Sequence, residues 1–238
     1  LTRELKKGKL HMTLLDPEKI DPKRAEEIAK MADKAGSSAI MVGGSTGGLR
    51  ELDRVIEGIK RGTDLPTILF PSGASLLSAK ADAVYFMSLL NSRSIRYIVG
   101  EQLRGAPLIK KSGIEPIPIG YIIVEPGGKV GEVGEVDLIL RGDHERAANY
   151  ALLAEYMGMK LVYLEAGSGA PEPIPTGMVE KVKETISLPL IVGGGIRTPE
   201  SARNLAEAGA DIIVTGTLVE GDDVEARLNG VVKAIRGR

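Results

Sequence analysis

The sequence predicts an α/β fold, a single closed barrel of eight parallel strands each followed by a crossover. Three observations predict it. Short, wholly apolar, β-branched runs alternate with segments of helical period, as expected of strands covered on both faces. The unit recurs eight times in 238 residues, a length at which an α/β barrel forms one domain. No Gly-x-Gly-x-x-Gly fingerprint follows the first strand, which favours closure over an open doubly wound sheet.

The elements follow in order. Leu10–Leu15 reads as the first strand, and Asp21 caps a helix opening at Pro22 with Ala25, Ile28, Ala29 and Ala32 on one face. Residues 38–42 form the next strand, closed by Gly43 and Gly44, and 49–61 the next helix. Further strands are expected at 66–70, 83–87, 117–124 and 160–165, and helices at 95–111, 143–157 and 176–186. Residues 188–192 and 211–215 are the last two strands. Between them Thr198 can cap a helix beginning at Pro199 and stopped by Gly209. Val224, Leu228, Val231, Val232 and Ile235 mark the final helix. One crossover is defective: PSGASLLSAKAD, after Phe70, is too short and too rich in Pro, Gly and Ser for a helix. It predicts an extended segment or a single helical turn. The loop 125–142 is the longest irregular stretch and is expected on the active face.

Composition narrows the function classes. Lys and Arg total 31 and Asp and Glu 32, a net charge of −1 without a long basic run, which argues against nonspecific nucleic-acid binding. The chain has no cysteine, excluding disulfides, thiolate catalysis and Cys-ligated metals. No apolar run is long enough for a membrane span, and the amino end carries no secretory apolar core, so a cytoplasmic protein is expected. The start at Leu1 fits a trimmed or engineered chain. Only 3% of residues are aromatic, so an aliphatic core is expected. Gln102 is the sole glutamine; with no cysteine and many Glu, Lys and Arg, this composition points to a hot environment and a thermostable protein.

Reactive groups in a parallel barrel come from the carboxyl ends of the strands. Glycines after the last two strands, at Gly193, Gly194, Gly195 and Gly216, let backbone N–H groups approach an anion, so they predict a phosphate site. They specify the phosphate and not the reaction. Tyr163 and Glu165 should alternate onto the inner side of their strand, with Leu164 turned outward. A carboxylate at that mouth, beside Ser168, can take a proton from a substrate hydroxyl. Glu125 is a rival base. Asp16 and the Ser45 hydroxyl make a poor calcium cage but suit magnesium, which keeps waters and takes further oxygens from a diphosphate. The two histidines cannot make a three-histidine zinc site. His144 is expected in the first turn of a solvated helix and His11 hydrogen-bonded in the core.

The motifs HMTLLDP (11–17), VGGST (42–46), FMSLLNS (86–92), VEPGG (124–128), YLEAGSG (163–169), VGGGIR (192–197) and VTGT (214–217) run in order through essentially the whole chain. Together they resemble the geranylgeranylglyceryl phosphate synthases, archaeal enzymes of ether-lipid synthesis close to the bacterial heptaprenylglyceryl phosphate synthases. The resemblance implies one domain, 1–238, with a modified (β/α)8 TIM barrel whose third helix is replaced by an extended segment. It implies that sn-glycerol 1-phosphate is bound by Tyr163, Leu164, Glu165, Ala166, Gly167, Ser168 and Gly169. Phosphate contacts would come from Gly194, Gly195, Gly216 and Thr217. It implies Mg²⁺ at Asp16 and Ser45, Glu165 as the catalytic base, and geranylgeranyl diphosphate as second substrate. Tyr97 matches a segment where an aromatic side chain floors the prenyl groove of synthases preferring the four-isoprene chain. Two departures stand out. Leu14 occupies a position where some relatives have lysine, and Glu132 lies where hexameric relatives often have a surface aromatic; a dimer is favoured, with a hexamer possible. A sugar-phosphate isomerase or lyase, an FMN-binding oxidoreductase and a noncatalytic barrel are the rival readings.

Overall fold

The computed structural model describes residues 2–6, 8–43 and 48–237. After a short α1, Thr2–Leu5, the chain enters β1, Leu10–Leu15. Then follow α2 Pro22–Ala35, β2 Ala39–Val42, α3 Leu49–Gly62, β3 Thr67–Leu69 and β4 Ala83–Leu89. A π-helical turn, Arg96–Gly100, runs into α4, Glu101–Ser112. The second half comprises β5 Glu115–Ile123, α5 Gly128–Val133, α6 His144–Tyr156, β6 Leu161–Glu165, α7 Thr176–Thr185, β7 Leu190–Gly193, α8 Pro199–Glu207, β8 Ile212–Thr215 and α9 Val224–Ile235.

The strands pair in chain order, all parallel, and β8 returns to β1 with Leu10 opposite Ile212 and Thr13 opposite Thr215, closing the predicted barrel. Strand alternation sorts the core into an inside and an outside. Met12, Met41, Ile68, Tyr85, Ile119, Tyr121, Tyr163 and Ile191 fill the interior. Residues of opposite parity, such as Ile40, Leu69, Ile122, Val162, Leu164 and Val192, pack outward against the helices in two aliphatic layers. Each fully buried Leu, Ile or Val contributes roughly 1.5–3 kcal/mol relative to exposure. Helix starts follow the expected caps. The Asp21 carboxylate accepts from the N–H groups of Lys23 and Arg24, and Thr198 forms a capping box with Ser201.

The defective crossover is real. Between β3 and β4 the chain forms only a single 3₁₀ turn, Ala74–Leu76. Three features depart from the sequence reading. The loop 125–142 is partly ordered as α5, which Gly127 and Gly128 enter with positive φ and whose Val130 packs against the barrel interior. The helix expected from residue 95 starts as a π turn, where Gly100 weakens the ladder, before α4 takes over. At the amino end α1 brings Leu5 against the interior cluster, a contact no local periodicity announces.

Candidate active site

A cleft of about 1750 Å³, partly open to solvent, lies at the carboxyl ends of the strands. Asp16 from the end of β1, Tyr163 and Glu165 from β6, Ser168 and Gly169 beyond it, Gly194 and Gly195 after β7, and Gly216 and Thr217 after β8 all line it. Asp16 and Glu165 therefore share one cleft rather than opposite rims.

Glu165 is 6% exposed and ends β6 with its side chain inward, as period-two alternation requires. Its Oε1 accepts the Gly167 N–H at 2.7 Å. Burial raises its pKa above the usual carboxylate value, partly opposed by that N–H and by the nearby Tyr163 hydroxyl. Tyr163 is fully buried, and its hydroxyl has no hydrogen-bond partner of ordinary geometry among the described residues. An orphan hydroxyl beside a buried carboxylate is a ready partner for a polyol hydroxyl. Burial first, and the Glu165 charge second, push both Tyr163 and Tyr121 well above the usual phenol pKa, so both hydroxyls stay protonated.

The two glycine loops stand side by side. Gly194 has φ +83° and Gly195 φ +70°, conformations that side chains rarely adopt, and a Cβ on Gly194 would collide with Glu165 Oε1. Among the described residues, no hydrogen bond uses the N–H groups of Gly194, Gly195, Gly216 or Thr217. Beyond Gly216 the chain turns into a short 3₁₀ helix, Thr217–Val219. Unspent backbone donors at two adjacent loops suit a phosphate.

A second cavity, almost wholly apolar and partly open to solvent, lies where the third helix is missing. Leu77, Phe86, Met87, Tyr97, Gly105 and Ile109 are among its walls. Pro71, Ser72, Met87, Tyr121 and Val130 line both cavities, so the apolar groove and the polar cleft meet. The junction is aromatic: Phe70 stacks on Tyr163 at 5.7 Å and meets Tyr121 edge-on at 5.3 Å.

A match to family models covers residues 3–235 and gives the PcrB family. This chain belongs to the PcrB family. A geranylgeranylglyceryl phosphate synthase of Thermococcus gammatolerans is 56% identical over 218 residues, 91% of this chain and 86% of that protein. The synthase of Methanothrix thermoacetophila is 54% identical over 231 residues, covering 96% of this chain and 91% of the other. The crystal structure of (S)-3-O-geranylgeranylglyceryl phosphate synthase from Thermoplasma acidophilum, in complex with substrate sn-glycerol-1-phosphate, superposes with a TM-score of 0.96. It is 48% identical, with 99% of this chain and 96% of that one covered. Thiamine phosphate pyrophosphorylase from Pyrococcus furiosus, at 18% identity and a TM-score of 0.60 over 96% of each chain, shares the fold alone.

Against this PcrB-family frame the sequence-predicted residues divide. Leu164 and Ala166 face the outer helix layer and, with Gly167, do not line the cleft; strand alternation turns Leu164 away, and Gly167 serves as the Glu165 clamp. Tyr97 is half-buried and lines the groove. The rival base Glu125 lies outside both cavities and accepts the Arg141 N–H. His144 opens α6 half-buried, against Gly177 of α7, rather than standing in solvent. His11 is buried and bonded to Ser37 and Thr215, as expected of a core histidine. Ser45 lies outside the described residues. Sequence reasoning missed Phe70, Met87 and Tyr121 at the junction, and Lys19, Arg24 and Lys129 on the cleft wall. The scarce aromatics, clustered at inward strand positions, were the available signal for the first group.

The donor chemistry bears on a metal. No three His, Cys, Asp or Glu side chains among the described residues converge into a cage. Asp16 lines the cleft with one oxygen engaged by the Glu18 N–H. A single carboxylate fits an ion that keeps its waters and borrows phosphate oxygens, which is magnesium's habit.

Proposed function

We propose that this chain is a prenyltransferase, a geranylgeranylglyceryl phosphate synthase. It joins the 3-hydroxyl of sn-glycerol 1-phosphate to geranylgeranyl diphosphate in archaeal membrane lipid synthesis. One observation carries the reading: a polar cleft holding Glu165 beside two adjacent glycine loops opens directly into an apolar groove. Relatives at 54–56% identity bear the synthase name, and the Thermoplasma acidophilum protein binds sn-glycerol-1-phosphate.

In this reading the phosphate rests on the backbone donors of Gly194, Gly195, Gly216 and Thr217. The glycerol hydroxyls then reach Ser168, the orphan Tyr163 hydroxyl and Glu165. The 3-oxygen attacks prenyl C1 as the bond from C1 to the diphosphate oxygen breaks, its electron pair leaving with diphosphate. Glu165 takes the hydroxyl proton. Its raised pKa makes it a stronger base than an exposed glutamate, at the cost of protonation at mildly acidic pH. The groove holds the isoprenoid tail, each buried CH₂ contributing about 0.8 kcal/mol, and Tyr97 floors it. Asp16 with Ser45 would hold Mg²⁺, which when bound neutralises charge on the diphosphate. Holding both substrates together supplies up to ~7–11 kcal/mol of the barrier by analogy with oriented model reactions. The protein works in the cytoplasm as a homodimer, the exposed Glu132 disfavouring a hexamer.

The test is incubation with labelled sn-glycerol 1-phosphate, geranylgeranyl diphosphate and Mg²⁺. The unmutated chain should form a butanol-extractable ether, and Glu165→Gln should lower kcat by ~10²–10⁴. Activity should rise with pH through an apparent pKa above the ordinary glutamate value of 4.5. No extractable product from the unmutated chain removes the assignment.

A further inference from the structure

We propose that the outer face of the π turn and α4 is a docking surface for an anionic lipid bilayer. Two sets of residues on this segment run two positions out of phase. Tyr97, Glu101, Gly105 and Ile109 line the groove at four-residue spacing. Ile95, Val99 and Leu103, also four apart, stand away from it and are 75%, 52% and 75% exposed; Leu108 extends the patch at 48%. Large aliphatic side chains in such an exposed row mark an interaction surface.

The charge chooses the occupant. Arg93, Arg96, Arg104, Lys110 and Lys111 are all exposed along 93–111, against Glu101 alone, a net of +4 in a chain whose total is −1. Glu101 is engaged by Arg96 and Arg104, and Glu135 on the neighbouring loop faces Arg96. Lys110 and Lys111 carry the positive charge past these pairs to the end of the helix. An isologous contact with a second copy would bring these cations against themselves. A bilayer with anionic headgroups meets both features at once, taking the aliphatic row into its interface and the cations onto its phosphates. The inference draws on the prenyl reading of the groove, since an isoprenoid diphosphate and its lipid product partition into membranes.

The experiment is co-sedimentation of the whole chain, without substrates, with phosphatidylglycerol vesicles and with phosphatidylcholine vesicles at low and high salt. Binding is expected to phosphatidylglycerol, weakened by salt and largely absent with phosphatidylcholine. Leu103→Glu should abolish it, and the double variant Lys110→Glu/Lys111→Glu should lower it ~10-fold or more. Tyr156→Glu, on the exposed end of α6, should bind as the unmutated chain does. All three variants should keep their circular dichroism and their turnover of a short, water-soluble prenyl diphosphate. The proposal is overturned if the unmutated chain ignores phosphatidylglycerol vesicles. It is equally overturned if Leu103→Glu splits a homo-oligomer by light scattering while vesicle binding persists. A chain that binds vesicles but forms no ether loses the synthase reading and keeps the docking surface; the converse result does the opposite.

Discussion

Glu165 and Tyr163 share the inner face of β6 because they stand two residues apart on a strand, and the chemistry of the site grows from that spacing. Both are buried, yet only the carboxylate is clamped, by the Gly167 N–H; the phenol is left to a ligand. Tyr163→Phe should therefore cost the free protein little, within about 1 kcal/mol by urea unfolding, because the hydroxyl makes no hydrogen bond of ordinary geometry in the free protein. It should raise the KM for glycerol phosphate about tenfold, and it should move the acid limb of the pH profile upward, since the hydroxyl helps hold the Glu165 charge. A loss of several kcal/mol of stability with an unchanged KM would give Tyr163 a structural role instead. At this scale the carboxylate was legible from alternation alone. The orphan state of the phenol was not, because it depends on what neighbouring strands fail to offer.

Elements decide access and acid tolerance. The single 3₁₀ turn between β3 and β4 leaves a slot that α4 flanks, and Gly105 of α4 keeps the slot wide. A Cβ at Gly105 would stand 3.2 Å from Leu77 Cδ1, so Gly105→Leu should fill the groove. Turnover of geranylgeranyl diphosphate should fall at least tenfold while a short prenyl diphosphate is spared, read as the ratio of kcat/KM values. At the seam of β1 and β8, His11 binds Ser37 at 2.8 Å and Thr215 at 2.9 Å. Burial foremost, with the Arg236 charge adding to it, lowers the His11 pKa from 6.5 to about 3. Below pH 6.5 the unfolded chain takes a proton there that the folded chain refuses, so stability falls as pH drops from 6.5 toward 3, by up to about 1.4 kcal/mol per pH unit from this group. Urea unfolding of His11→Gln should show a flatter slope across that window; an unchanged slope would mean His11 is charged in the folded protein. The polar character of His11 was plain in the sequence, whereas its partners are 26 and 204 residues away, Ser37 beside β2 and Thr215 on β8, which reaches β1 only with closure of the barrel.

For the whole molecule, closure makes one cooperative unit of distant segments. Asp211 takes Lys9 and Lys183, and Glu26 takes Lys30 and Arg61, so ion pairs tie neighbouring elements around the rim. Such exposed pairs contribute little near 25 °C and more when hot. Because the glycine loops after β7 and β8, Glu165 and Asp16 belong to the same barrel, a ligand in their cleft should stabilise all of it. Saturation with sn-glycerol 1-phosphate at about 100 times Kd should add about 2.7 kcal/mol, raising a single calorimetric transition by roughly 5–10 °C. Two transitions, with only one shifted, would break the single-domain account. Among the described residues no helix is long and apolar enough to cross a membrane.

What the sequence determined by itself is the local grammar: eight apolar strands, their caps, the failed third crossover and the glycine loops after β7 and β8. Each rests on short-range causes, namely side-chain period, φ preference and the hydrogen-bonding needs of a helix start. Tertiary structure alone decided that the polar cleft and the apolar groove meet at Phe70, Met87 and Tyr121, and that Glu125 stays out of both cavities. It also ordered α5 inside a loop and sent Leu5 against the interior. Those outcomes depend on contacts between residues far apart in the chain, which no window of neighbouring residues contains.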